Sequence, residues 1–275
     1  MNLGFQFKQF FVRHDRCAMK VGTDGVLLGC WSGYDAAAAG SPTIPHRYHY
    51  ARCLDIGTGS GLIALMLAQR FPDALIDAID IDKAAVEQAA ENFAASPWSD
   101  RLHAYCAKLQ EWSIVNSQFA NSQFANSQFS ILNSQLYSLI VSNPPYFQNS
   151  LKNPDKGRQT ARHTDTLSFC ELIHHSTRLL SENGILALIL PAEAESEVCE
   201  LAQAEGLSLT RITRVYSKES KPARRVLLSF EKSKSRNTDI STSRNTAPVE
   251  DTLVLEDEKG GRSAAYRELT KDFYL

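Results

Sequence analysis

Apolar positions along the chain fall into short runs broken by glycine, proline or charge, and long stretches between the breaks have helical spacing. Arg52-Cys-Leu-Asp55-Ile is one compact run. It opens into Gly57, Gly59 and Gly61 and continues as an apolar segment to Arg70, which predicts strand, tight turn and helix. Leu75 to Asp80 predicts a second strand that ends in an acid. Asp82 is placed to cap a helix running from Lys83 to about Ala94. Leu102 to Lys108 predicts a third strand and its turn. Ser138 to Ser142 predicts a fourth, buried strand, closed by Asn143-Pro144-Pro145-Tyr146.

Further on, a helix over 167–180 is expected to stop near Asn183-Gly184. A buried strand, Ile185 to Pro191, follows, then a helix over 192–205 that stops at Gly206. Leu209 to Tyr216 and Arg225 to Phe230 form a closing antiparallel pair. Strands alternating with helices in this way predict an α/β class with a mostly parallel sheet.

The remaining stretches break this rhythm. Phe5 to Arg16 interleaves aromatics with Lys8, Arg13 and Arg16 and predicts a half-buried hairpin with a charged outer face. Thr23-Asp24-Gly25 marks a helix start, with Thr23 or Asp24 as the cap. Residues 36–50 predict a loop. Asn-Ser-Gln-Phe begins at 116, 121 and 126, with a near copy at 133, so 116–136 is expected to be a polar, low-complexity surface loop. Residues 232–250 repeat Ser-Arg-Asn-Thr and predict a linker. After it, 251–275 supplies a last strand and an amphipathic tail.

Composition removes several function classes. At 275 residues the chain can bury a sizeable core. Its net charge of −2 argues against a uniformly basic nucleic-acid binder, so any such contact must come from local patches. No uninterrupted apolar stretch is long enough to span a bilayer, and the first residues lack the apolar core of a signal peptide. The six cysteines are scattered singly with no C-x-x-C pair. That disfavours a structural metal or a disulfide framework and fits a reducing cytoplasm.

The chemistry concentrates at two corners. Successive prolines fix φ, remove backbone donors and extend the residue before each, so Asn143-Pro144-Pro145-Tyr146 is a stiff bend rich in carbonyls. The Asn143 amide oxygen and the Pro144 carbonyl can accept both hydrogens of an exocyclic amine, and Tyr146 can stack on the ring that carries it. The glycine turn lets a ligand approach the backbone closely. Its Asp55-x-Gly57-x-Gly59-x-Gly61 spacing is neither the dinucleotide fingerprint nor a phosphate loop. Asp80, ending the second strand, can take two ribose hydroxyls with its two oxygens. Lys152, Lys156, Arg158, Arg162 and His163 follow the bend as a basic loop, and Lys221 and Arg224 form a second basic turn. Both fit the phosphates flanking a flipped nucleotide.

Asp-x-Gly-x-Gly-x-Gly resembles motif I of the S-adenosylmethionine-dependent methyltransferases. The chain as a whole resembles the bacterial tRNA1(Val) adenine-37 N6-methyltransferases. The carriers are Phe5-x-Phe-Lys-Gln-Phe, Met19-Lys-Val-Gly-Thr-Asp-Gly-Val-Leu-Leu-Gly, Leu54-Asp-Ile-Gly-Thr-Gly-Ser-Gly and Asn143-Pro-Pro-Tyr, with Ala161-Arg-His, Lys221-Pro-Ala-Arg-Arg-Val-Leu-Leu and Leu269-Thr-Lys-Asp-Phe-Tyr-Leu.

The resemblance implies a Rossmann-like class I methyltransferase fold, with a seven-stranded, mostly parallel sheet and an antiparallel C-terminal strand. It implies an N-terminal extension over 1–50 on the cofactor and RNA side, and a methyltransferase domain over 51–231 on which the tail packs. It further implies S-adenosyl-L-methionine as cofactor, tRNA as partner, no metal, and a cytoplasmic location. Asn143, Pro144 and Tyr146 would be catalytic. Thr23, Asp55, Gly57, Gly59, Gly61, Asp80, Ile81, Leu109 and Asn143 would hold the cofactor. Lys8, Arg13, Lys152, Lys156, Arg158, Arg162, His163, Lys221 and Arg224 would meet RNA.

One departure stands out: Lys108 occupies the place where many relatives carry an acid that receives the cofactor's adenine amine, which leaves the adenine end to backbone near Leu109 or to packing on Ile81. A protein-glutamine N5-methyltransferase, another nucleic-acid amino-methyltransferase and a non-catalytic RNA-binding module remain as alternatives. The glycine spacing disfavours a nicotinamide-dependent oxidoreductase.

Overall fold

A single twisted sheet organises the chain. In this computed structural model the described residues are 3–17, 19–33, 50–113, 136–145, 167–232 and 247–274. The N-terminal hairpin pairs β1 (Gly4–Gln6) with β2 (Phe11–Arg13). Helix α1 (Thr23–Trp31) follows. Next come β3 (Arg52–Ile56), α2 (Leu62–Arg70), β4 (Leu75–Asp80), α3 (Lys83–Ala94) and β5 (Leu102–Cys106). Beyond them lie β6 (Tyr137–Ser142), α4 (Phe169–Leu179), β7 (Leu180–Pro191) and α5 (Glu195–Ala204). The last elements are β8 (Leu207–Tyr216), β9 (Ala223–Lys232), β10 (Val249–Val254) and α6 (Ala264–Thr270).

The sheet order is β10-β8-β9-β7-β6-β3-β4-β5. Strands β5, β4, β3, β6 and β7 pair in parallel, and β9 runs against both β7 and β8. This is the expected Rossmann-like sheet of seven strands with an eighth, β10, added in parallel on β8. Charge holds that extra edge strand. Arg211 bonds Asp251 at 2.8 Å, Arg214 bonds Glu250 at 2.9 Å, and Lys218 lies 3.6 Å from Glu256. Strand β9 runs to Lys232 and β10 starts at Val249, so the segment expected as linker gives up both ends to strands.

Both faces of the sheet are buried, as a parallel sheet requires. Along β7, Ile185, Ala187 and Ile189 join one hydrophobic cluster while Leu186, Leu188 and Leu190 join the other. The first cluster takes in α1 and α2, the Phe93 side of α3, and Tyr266 and Phe273 from the tail. The second takes in Leu172 and Ile173 of α4 and Val198 and Ala202 of α5. The expected helix stop at Asn183-Gly184 lies elsewhere: α4 ends at Leu179 and β7 starts at once. Tyr137 pairs with Leu180 and Leu139 with Ile185, so residues 181–184 bulge from the strand, with Asn183 at φ 60.

A buried polar cluster centred on Asp77 sits inside this core. Arg52 Nη2 donates to Asp77 Oδ2 at 3.1 Å, and the Tyr137 hydroxyl donates to the same oxygen at 2.7 Å. Trp112 Nε1 donates to the Tyr137 hydroxyl at 3.1 Å. Burial, and then the Asp77 charge, push the Tyr137 phenol well above its ordinary range. Asp77→Ala leaves the Arg52 charge buried without its carboxylate. The expected loss is about 3–5 kcal/mol of stability, read from urea unfolding midpoints.

Candidate active site

In open parallel sheets ligands lie beyond the carboxyl ends of the strands, where the order reverses. Here the chain leaves β3 toward β4 and β5 on one side and later returns to β6 and β7 on the other. The glycine turn follows β3 and the Asn143 bend follows β6, so the reversal brings both chemical corners to one place. Register makes this close. Ser142 pairs with Ile56 and its hydroxyl donates to the Ile56 carbonyl at 2.9 Å, so Asn143 and Gly57 are the next residues on adjacent strands.

The turn is held from below. The Gly57 and Thr58 amides donate to the Ile79 carbonyl at 2.9 and 3.1 Å. Asp55 is fully buried; its Oδ2 accepts the Thr58 hydroxyl at 2.7 Å and the Ala64 amide at 3.2 Å. Its other oxygen, Oδ1, is buried with no hydrogen-bond partner. Burial above all pushes this carboxyl up to about 7, against the pull of those two donors, and the Asp80 charge adds to the rise.

Gly59 has φ +54 and Gly61 φ +81. A Cβ on Gly59 would meet nothing within 4 Å, whereas one on Gly61 would come within 2.5 Å of the Phe93 ring. The two positions therefore have different purposes. Both alanine substitutions carry the left-handed penalty of about 1–2 kcal/mol. Gly61→Ala is expected to lose more stability than Gly59→Ala in thermal unfolding, because it also displaces Phe93. Gly59→Ala is expected to lose mainly ligand affinity, read by calorimetry.

Asp80 ends β4 half-buried. One oxygen accepts the Gly59 amide at 2.9 Å and the other accepts the Asp82 amide at 2.9 Å. Each oxygen keeps a lone pair, so ribose binding remains possible while the same side chain ties the turn to the neighbouring strand. Asp82 caps α3 through the Ala84 amide at 2.9 Å, as expected. Ile81 is 58% exposed beside it, an apolar surface at the strand ends. The Ala107 amide donates to the Asp80 carbonyl at 3.0 Å. Exposed Lys108 follows, and buried Leu109 begins a short 3-10 turn. An orphaned carboxylate oxygen, open space over Gly59 and a strand-end acid fit the methionine end and ribose of S-adenosylmethionine.

Thr23 is the first residue of α1, and the expected capping fails: Gly22 holds the cap position with no side-chain hydrogen bond. Asp24 turns instead to Arg225 Nε at 2.8 Å. The α1 start nevertheless lies by the glycine turn, since a Cβ on Gly25 would touch Leu62, the first residue of α2, at 3.1 Å.

Asn143 is half-buried and Pro144 buried. Tyr146, Lys152, Lys156, Arg158, Arg162 and His163 lie outside the described residues. Lys8 is exposed and reaches the tail. Its ammonium donates to the Lys271 carbonyl at 2.5 Å and its amide to the Phe273 carbonyl at 2.8 Å, joining the two chain ends. Arg13 is exposed, 3.9 Å from Asp15. Lys221 and Arg224 are exposed on and just beyond the β8–β9 turn. That turn lies at the carboxyl end of β7, since Arg225 pairs with both Pro191 and Val215.

Sequence reasoning missed Gln88 and Asn92, two buried polar side chains on α3 that hold the N-terminal arm. Their signal was present: they sit four residues apart among Ala85, Ala89 and Phe93, on the apolar face of an amphipathic helix.

No helix among the described residues is long and apolar enough to cross a membrane. The methyltransferase small domain family matches residues 41–206. A protein of Bacteroides fragilis named tRNA1(Val) (adenine(37)-N6)-methyltransferase is 42% identical over 98% of this chain and 97% of its own. Proteins of the same name from Parabacteroides distasonis and Pectobacterium carotovorum are 41% and 40% identical, over 98% and 99% of this chain and 97% and 94% of their own. Among solved structures, a predicted O-methyltransferase of Agrobacterium tumefaciens superposes with TM-score 0.57 at 15% identity. That match covers 91% of this chain and 96% of the other, a likeness of fold alone. With its sheet order, its motif I turn and relatives matched end to end, the chain belongs to the methyltransferase small domain family of S-adenosylmethionine-dependent enzymes.

Proposed function

We propose that this chain transfers a methyl group from S-adenosylmethionine to the N6 amine of adenine 37 in tRNA, with tRNA1(Val) as the substrate and the cytoplasm as the place. The observation that carries the reading is the register of β6 on β3, which sets Asn143 beside Gly57 at the reversal point of the sheet. Bound over the glycine turn, S-adenosylmethionine supplies an electrophilic methyl group.

The chain's own residues do the rest by position. Asp55 Oδ1 would meet the cofactor's ammonium end, Asp80 its ribose, and Ile81 and the Leu109 backbone its adenine, with Thr23 alongside. The Asn143 oxygen and Pro144 carbonyl accept the two N6 hydrogens, and Tyr146 stacks on the purine. Held this way, the amine lone pair points along the line of displacement. The cofactor would supply its methyl group to N6 with its sulfur as leaving group, and the amine held by Asn143 and Pro144 would then release one proton to water. No strong general base is required. Lys8, Arg13, Lys152, Lys156, Arg158, Arg162, His163, Lys221 and Arg224 are the cations for the flanking phosphates.

The test is an incubation with methyl-labelled cofactor and unmodified tRNA1(Val) transcript, followed by nucleoside mass spectrometry. N6-methyladenosine at position 37 is the expected product. Label found on a release-factor glutamine and absent from RNA would move the reading to a protein N5-methyltransferase.

A further inference from the structure

Helix α3 carries two buried amides that the mechanism above leaves unused. Asn92 is 2% exposed and Gln88 is fully buried. The Asn92 side chain treats the backbone of Arg13 as a strand partner would: Oδ1 accepts the Arg13 amide at 2.9 Å and Nδ2 donates to the Arg13 carbonyl at 2.8 Å. The second Nδ2 hydrogen goes to the Ser60 carbonyl at 2.8 Å, inside the glycine turn. One amide thus spans the N-terminal arm and the Gly59–Gly61 backbone. One turn earlier, Gln88 Oε1 accepts the Arg16 amide at 3.0 Å and the Cys17 thiol at 3.1 Å, and its Nε2 donates to Asp15 at 2.9 Å. The same helix face presses Phe93 and Ala89 against Gly61.

We propose that Asn92, supported by Gln88, is a positioning residue for cofactor binding: it fastens the arm Arg13–Cys17 to the glycine turn and holds the turn in its binding shape. The inference rests on the function proposed above and adds residues to it. Three facts join here. Ser60, whose carbonyl takes the Asn92 bond, lies between two left-handed glycines at φ +54 and +81. Glycines have many conformations open to them, so a turn built on them keeps one shape only when its surroundings hold it. Nδ2 has both hydrogens committed, so losing either releases the arm or the turn. Burial first, and then the charges of Asp80 and Asp82, push the Cys17 thiol of the arm up to about 11. Arm, ribose acid and glycine turn therefore meet around α3.

Asn92→Asp tests this in the full chain. It keeps size and the acceptor for Arg13, and replaces both Nδ2 donors with an oxygen facing two carbonyls. The expected result is a roughly tenfold weaker dissociation constant for S-adenosylhomocysteine by calorimetry, with a matching rise in KM for the cofactor and kcat at saturation within about twofold. Hydrogen exchange at the Arg13 amide should quicken by about tenfold or more in the same sample. Should that variant fail to fold, Gln88→Glu loosens the arm from the next turn and should weaken binding about threefold. Faster arm exchange with cofactor affinity within twofold of the parent in the variant that folds would overturn the proposal. A parent chain that binds no S-adenosylhomocysteine would overturn the function itself, a result distinguishable from the first.

Discussion

Asn143→Ala is expected to lower kcat for tRNA methylation by about two to three orders of magnitude. Affinity for S-adenosylhomocysteine should stay within a few-fold of the parent. The physical reason is that the Asn143 oxygen acts on the amine as it changes geometry, so its contribution appears mainly in the transition state. The cofactor keeps its hold on Asp55, Asp80 and the glycine turn, which the substitution does not touch. Asn143→Asp retains an acceptor at the same place and should recover part of the loss. Single-turnover rates beside calorimetric binding, on matched samples, make the measurement. Near-parent turnover in the alanine variant would remove Asn143 from the mechanism.

The second large effect belongs to Asp55. Its carboxyl moves from an ordinary 3.8 up to about 7, chiefly because burial disfavours the charge. The folded state therefore holds a proton that the unfolded chain has lost. Stability from this group is full below about pH 4, declines as pH rises toward 7, and is lost above it, by roughly 4 kcal/mol for a shift of this size. A ligand ammonium group placed against Asp55 works the other way, because it favours the ionised carboxylate. Affinity for S-adenosylhomocysteine should rise with pH by up to about tenfold per unit and level off above about 7. Asp55→Asn separates the two effects. With no charge to bury, the ligand-free variant should unfold at a higher temperature than the parent near pH 8, and its pH dependence between about 4 and 7 should flatten. Its cofactor affinity should fall about a hundredfold, with the proton release on binding abolished. Equal affinity of the parent at about pH 5.5 and pH 8 would show that Asp55 does not face the cation.

Much of this was legible in the order of residues. Local periodicity placed β3, β4, β6 and the β8–β9 pair, because apolar runs closed by glycine or proline have few other conformations open to them. Motif I and the Asn143 corner were visible because their chemistry is carried by contiguous residues. The α4–β7 boundary was misplaced for the opposite reason. Asn183-Gly184 has the local signature of a helix end, but Tyr137 of β6 pairs with Leu180, and that nonlocal partner draws the strand start back past the glycine. Thr23 looked like a cap by type, yet Asp24 went to Arg225, a partner 201 residues away.

The primary sequence thus settled which elements form and which side chains can do chemistry, since both follow from neighbours within a few residues. Tertiary structure alone set Asn143 level with Gly57, left Asp55 Oδ1 buried without a partner, brought Lys8 to the tail, and passed one Asn92 amide between the arm and the glycine turn. These outcomes depend on strand order and on burial, which bring together groups that lie tens to hundreds of residues apart along the chain.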